Sequence, residues 1–141
     1  MKKIISVTFI MFVVLNFSSL GFCGFEETLK KAQKGDAKSQ YEIGHKYYID
    51  FNFDKSGHWF AKAAEQGHSA AQTYLGTMYF HGYGVKKDYK IAYALYSVAA
   101  AGGIKNAVRL RDKVAERMMP QLLSEAQDLA YQWYQKYGSS M

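Results

Sequence analysis

The chain has 141 residues, 18 basic against 12 acidic side chains, a formal net charge of +6, and 49% apolar and 16% aromatic residues. That length gives one domain a core large enough to fold unaided. A single cysteine, Cys23, excludes an intramolecular disulfide, and the basic residues are scattered without the run that a nucleic-acid arm requires, so no nucleic-acid partner is expected.

In chain order, Lys2 and Lys3 precede an apolar run from Ile4 to Phe17, and small residues follow from Ser18 to Gly24. This is the three-part pattern of a secretory signal. The apolar run is shorter than the ~20 residues of a membrane span. Residues 1–23 are therefore expected to be a signal peptide, and the protein to be periplasmic or secreted with no stable membrane span after cleavage. Cleavage is expected after Cys23, with the bond after Gly21 as second choice. Leu20-Gly21-Phe22-Cys23 also resembles a bacterial lipoprotein box, with Phe22 departing where that pattern has Gly or Ala. This is the alternative in which Cys23 carries a lipid anchor. Removing residues 1–23 takes away two lysines and no acids, so the mature chain is only mildly basic.

Residues 24–141 form the second unit, and they repeat. Lys34-Gly35-Asp36-Ala37-Lys38-Ser39-Gln40 returns as Gln66-Gly67-His68-Ser69-Ala70-Ala71-Gln72, and again as Gly102-Gly103-Ile104-Lys105-Asn106-Ala107. The step is 32 residues from Gly35 to Gly67 and 36 from Gly67 to Gly103. A period of this size marks a solenoid of helical hairpins. The predicted architecture is an all-α short solenoid of antiparallel helix pairs. Its repeats run over 37–68 and 69–104, with capping helices over 105–137.

Phe25 to Lys34 has apolar residues at three- and four-residue steps and reads as a short N-terminal helix. Ala37 to Tyr48 is the first helix of repeat one. Phe53 to Gln66 is its second, with Asn52 or Asp54 to cap it and Gly67 to end it. In repeat two, Ser69 is the expected cap of a helix running to Phe80. A turn over His81 to Val85 follows, then Asp88 caps a helix running to Ala101. Repeat one has the acidic-aromatic stretch Asp50-Phe51-Asn52-Phe53 where repeat two has Gly82-x-Gly84. Gly44 and Gly76 are equivalent mid-helix glycines. Each costs ~1 kcal/mol relative to Ala, so a neighbouring backbone is expected to pass close there. A helix from Ala107 and a last helix opened by Pro120, a residue suited to a first turn, close the chain.

Ala71-x-x-x-Leu75-Gly76-x-x-Tyr79, Gly82-x-Gly84-Val85-x-x-Asp88 and Ala92-x-x-x-Tyr96-x-x-Ala99-Ala100 together resemble one full Sel-one-like repeat (SLR) of the tetratricopeptide-like α-solenoids. Trp59-Phe60-x-Lys62-Ala63-Ala64-Glu65-Gln66-Gly67 resembles the end of the same repeat. The resemblance covers roughly residues 25 to 118. It implies a protein-interaction or scaffold module, monomeric, whose partner is another protein or peptide. It also implies one enzymatic alternative, because cysteine-rich relatives in the family bind or hydrolyse β-lactams.

The residues show little chemistry of their own. His45, His58, His68 and His81 fall at different places in the repeat, no two are four apart, and no cysteine stands beside them, so no metal or cofactor site is expected. No serine has a lysine three positions on, as a β-lactamase nucleophile requires. Lys55-Ser56-Gly57 resembles a variant of the Lys-Thr-Gly element but stands alone. No catalytic set is expected. First helices of such repeats commonly line the concave face, which makes Glu42 and Lys46, with their repeat equivalents Tyr74 and Met78, the expected partner-binding residues.

Overall fold

The computed structural model describes residues 24–137, so the signal segment with Cys23 lies outside the described residues. A first helix, α1, covers 24–33. It is followed by α2 (Ala37–Ile49), α3 (Phe53–Glu65), α4 (Ser69–His81), α5 (Tyr89–Ala101), α6 (Lys105–Ala115) and α7 (Pro120–Tyr137). No strand occurs among the described residues. Short turns make neighbouring helices antiparallel, and α2 packs with α3, α3 with α4, α4 with α5, and α5 with both α6 and α7.

One turn joins each pair to the next. At the end of α3 the Gly67 N–H donates to the Ala64 carbonyl (3.0 Å) and the His68 N–H to the Ala63 carbonyl (3.1 Å). Gly67 sits at φ +83°. This is the double bond of a Schellman stop, which needs a residue free of a Cβ penalty at that φ. Gly35 (φ +99°) and Gly103 (φ +90°) make the same turn. The residue after each glycine is already the N-cap of the next helix: Asp36, His68 and Ile104. The expected cap Ser69 is therefore inside α4. The cap is His68, whose Nδ1 accepts from the Ala71 N–H at 3.2 Å. Asn52 and Asp88 cap α3 and α5 as expected, accepting from Lys55 and Ile91.

Within each repeat the mid-helix glycine faces an aromatic ring, not a backbone as expected from sequence. A Cβ on Gly44 would lie 2.8 Å from Phe60, and one on Gly76 would lie 3.0 Å from Tyr96. Both rings are buried, at 0% and 1% exposure. The bare helix surface lets the ring lie flat against it, and the helix pair closes to that distance. Tyr96 adds a hydroxyl bonded to Thr77 Oγ1 (3.0 Å). In repeat one these two positions are Phe60 and His45.

Among the described residues, two clusters hold much of the buried core. One joins Phe60, Ala63 and Ala64 to Ala71, Leu75, Met78 and Leu95. The other joins Phe80, Ala92, Tyr93 and Tyr96 to Val114, Ala126 and Ala130. Trp133 of α7 packs against both, so the last helix ties the two halves together. Burial of such side chains is the main favourable term in folding.

Two stability measurements test this account. Alanine at Gly44 gains helix propensity of ~1 kcal/mol but collides with Phe60. We expect Gly44→Ala to lose about 1–2 kcal/mol net in urea unfolding, and Phe60→Leu in that background to cost less than in wild type. Burial holds the His68 imidazole below its ordinary value of 6.5, and only the neutral ring can accept the cap bond. This share of stability is complete above the unfolded value and is lost as pH falls through the lower folded value. Thermal unfolding from pH 7.5 down to 5 should show a cap loss of ~1 kcal/mol. His68→Asn, which caps without titrating there, should remove that part of the pH dependence.

Candidate partner-binding site

The four residues expected to bind a partner divide. Glu42 and Lys46 are exposed on α2. Each makes a loose i,i+4 ion pair, Glu42 with Lys38 (4.0 Å) and Lys46 with Asp50 (3.2 Å), of the kind that contributes little to stability. Tyr74 of α4 is half-buried. Its ring stacks on Phe60 (5.1 Å, 19°) and takes His45 and Tyr48 edge-on at 5.3 and 5.2 Å. Met78 is fully buried and reaches Gly57 of α3, where its Cε would lie 3.2 Å from an added Cβ. Met78 is therefore core and not groove. Gly57 lets α3 and α4 approach closely enough to cover it.

What stands beside Glu42 and Lys46 is a row of half-buried aromatic side chains. Tyr41 stacks on His68 (4.7 Å, 20°) and lies 6.0 Å from Tyr74, and Tyr48 continues the row towards Phe53 (5.5 Å). Burial, then the neighbouring tyrosines, pushes the Tyr41 and Tyr48 phenols up. Both hydroxyls therefore stay protonated at neutral pH and can donate. Large rings with one polar end are the side chains that interfaces favour. The structure brings Tyr41, Tyr48 and Tyr74 together.

The loop Asp50-Phe51-Asn52-Phe53 borders this row. Phe51 takes the left-handed position of its turn at φ +57°, where glycine stands in the turns between repeats, and its ring is 79% exposed. A non-glycine residue there is strained. Phe51 packs edge-on to Phe53, which stacks on Tyr83 (4.9 Å).

A second concavity lies between α3, α4, α5 and α7. It holds about 240 Å³ and is lined by Gln72, Leu75, Tyr79, Leu95, Trp133 and Tyr137, among others. Sequence reasoning missed it, because it is closed by α7, whose docking no repeat spacing encodes. The recurrence of a glutamine at positions 40 and 72 was the available signal.

Ser56, the serine of the Lys55-Ser56-Gly57 element, is fully buried, and its Oγ donates to the Gly44 carbonyl at 2.9 Å. It braces α3 against α2 and faces no cleft. Among the described residues no three His, Cys, Asp or Glu side chains gather as a metal would require, and no helix is long and apolar enough to cross a membrane.

Comparison with known proteins bears on the fold directly. The family model of the Sel1 repeat matches residues 37–68, 69–104 and 123–136. No curated protein sequence matches the chain. Among solved structures, it is similar to a protective antigen present in uropathogenic Escherichia coli strains, a protein displaying an SLR fold. The two are 30% identical with a TM-score of 0.77 over 82% of this chain and 26% of that one. The chain thus spans about a quarter of that protein's length. With matches in both full helix pairs and in the last helix, the chain belongs to the Sel1 repeat family.

Proposed function

We propose that this protein is exported and holds another protein on the face made by α2 and α4. Sel1 repeats form scaffolds for protein–protein contact. The observation that carries the reading to this face is the half-exposed row Tyr41, His45, Tyr48 and Tyr74, flanked by Glu42 and Lys46. The row offers flat apolar area at low entropic cost with hydroxyls at its edge, and the two charges select the partner's register. Export is supported by the sequence of residues 1–23, with the mature protein periplasmic or secreted. Lipidation at Cys23 is the other outcome of the same segment.

Affinity capture from the native envelope, read by mass spectrometry, supplies the partner. Glu42→Lys with Lys46→Glu should weaken its capture about tenfold by changing rim charge, with stability within about 1 kcal/mol of wild type, because the like-charge pairs it sets beside Lys38 and Asp50 are exposed. Met78→Ala should instead cost about 2–4 kcal/mol through the cavity it leaves. Unchanged capture by the charge-reversed variant would place the partner elsewhere. The intact mass of the exported protein tests export and processing together. It should correspond to a chain beginning at Gly24. A start at Phe22 marks the second cleavage choice, and a lipid mass on Cys23 marks an anchored protein.

A further inference from the structure

We propose that two copies of this chain pair face to face about a two-fold axis, each laying its acidic loop Asp50-Phe51-Asn52-Phe53-Asp54 on the basic patch His81, Lys87, Lys113 and Arg117 of the other. A reversible dimer then stands in place of the monomer that the family resemblance implies. The pairing is independent of the docking reading, which rests on Glu42 and Lys46.

Phe51 is the first sign of such a surface. Its N–H donates to the Tyr48 carbonyl (3.1 Å), and the Asn52 N–H donates to the Tyr47 carbonyl (2.9 Å). The helix stops at Gly35, Gly67 and Gly103 make the same two bonds. Here, however, a phenylalanine holds the left-handed position, at φ +57°. A bulky residue is costly there. Packing within the chain does not offset the cost, because the ring is largely exposed and meets Phe53 only edge-on, at 6.1 Å. Glycine would serve the fold better at this stop. A ring kept there against the backbone's preference serves a contact outside the chain.

Charge around the ring says what makes that contact. Phe51, Phe53, Tyr83 and His81 run as one row, with successive centroids 6.1, 4.9 and 5.0 Å apart. The Phe51 end is acidic: Asp50 and Asp54 line an open hollow of about 420 Å³ with Phe51, Asn52 and Phe53. Lys46 shares Asp50 (3.2 Å) and Lys55 is turned onto the Tyr47 ring (5.2 Å), so Asp54 stays open. The His81 end is basic. Arg117 lies over the Phe80 ring (5.2 Å), which meets His81 edge-on (4.8 Å). Lys113 lines a small hollow with Phe80 and His81, and Lys87 passes beside Gly82. After burial, the charges of Lys87, Lys113 and Arg117 hold the His81 imidazole below its ordinary value, which places all three around one ring. Among the described residues, Asp54, Lys87, Lys113 and Arg117 have no ion-pair partner.

Carboxylates beside exposed rings suit a cation on an apolar stem. Such cations stand at the other end of the same row. A face with opposite charges at its two ends is complementary to itself after half a turn, as a two-fold contact requires. A second copy so turned sets each acidic end on a basic end with rings between them, an apolar centre within a polar rim. A basic segment of another protein would fill the hollow and leave Lys87, Lys113 and Arg117 unpaired. An anionic surface would do the reverse. A second copy satisfies both ends at once.

The test is sedimentation of the full mature chain from micromolar to millimolar concentration. A reversible monomer–dimer equilibrium is expected, weakened about tenfold or more at about 0.5 M salt as the charges are screened. Asp54→Lys and Lys113→Asp should each weaken the dimer about tenfold or more through like-charge contacts. Mixed in equal amounts, the two variants should pair with each other at close to wild-type strength, since one contact is then reversed and the other native. Phe51→Gly should raise the melting temperature, because it relieves the backbone, and weaken the dimer about tenfold. A wild-type chain that stays monomeric at millimolar concentration overturns the pairing, and binding of oligolysine by that monomer would assign the loop to a basic partner instead. Species larger than a dimer mark a head-to-tail contact and overturn it as well. So does a mixture that pairs no better than either variant alone. If a charge variant fails to fold, Phe51→Gly still decides, because a dimer it leaves unchanged overturns the proposal. None of these variants alters Glu42 or Lys46, so capture of the docking partner is read separately.

Discussion

The contact between a glycine on the first helix of each repeat and a flat ring on the second sets the spacing of this solenoid. Gly44 meets Phe60 and Gly76 meets Tyr96. A helix gives up stability to keep glycine in its middle, and it does so twice here at equivalent positions. The return is a helix pair close enough to bury Ala63 and Ala99 completely and to place Ser56 Oγ on the Gly44 carbonyl. Interiors packed at crystal-like density leave no room for a methyl group at such a contact.

The pairs are then joined by turns with almost no freedom. One glycine ends a helix, and the next residue caps the following one at Asp36, His68 and Ile104. These joints have the same backbone at each step from one pair to the next. The repeats differ in the loop inside each pair and in their side chains. Gln66 against Gly102 is such a difference: the first closes a hydrogen-bonded pair with Gln40, and the second leaves the buried Gln72 Oε1 without a partner. Thr77 and Tyr96 against His45 and Phe60 is another. It exchanges an aromatic edge contact with Tyr74 for a hydroxyl pair. A repeat protein keeps its scaffold in the shared positions and its recognition in the unshared ones.

Much of this was legible in the chain. The 32- and 36-residue steps, the stop at Gly67, the caps Asn52 and Asp88 and the paired glycines all rest on local backbone chemistry, which sequence spacing records. Three readings failed for one shared reason. Met78 is expected on the concave face as a residue of a repeat's first helix and the equivalent of Lys46, yet Gly57 of α3 lets the helices close over it. Ser69 has the residue type of a cap, yet the turn at Gly67 hands the position to His68. The neighbour of Gly44 and Gly76 was expected to be backbone and is a ring. Each depends on which neighbour arrives from outside the window in which the residue is read.

The sequence alone determined the fold class, the repeat and the residues at its closest approaches, because periodicity and backbone preference are local and additive along the chain. Only the tertiary structure decided which side chains remain open to a partner. Tyr41, Tyr48 and Tyr74 meet across two helices, and α7 lays Trp133 and Tyr137 over a cleft built by three others. Exposure is a property of the whole packing, and two equivalent positions in a repeat have it in common only when the same neighbours cover both.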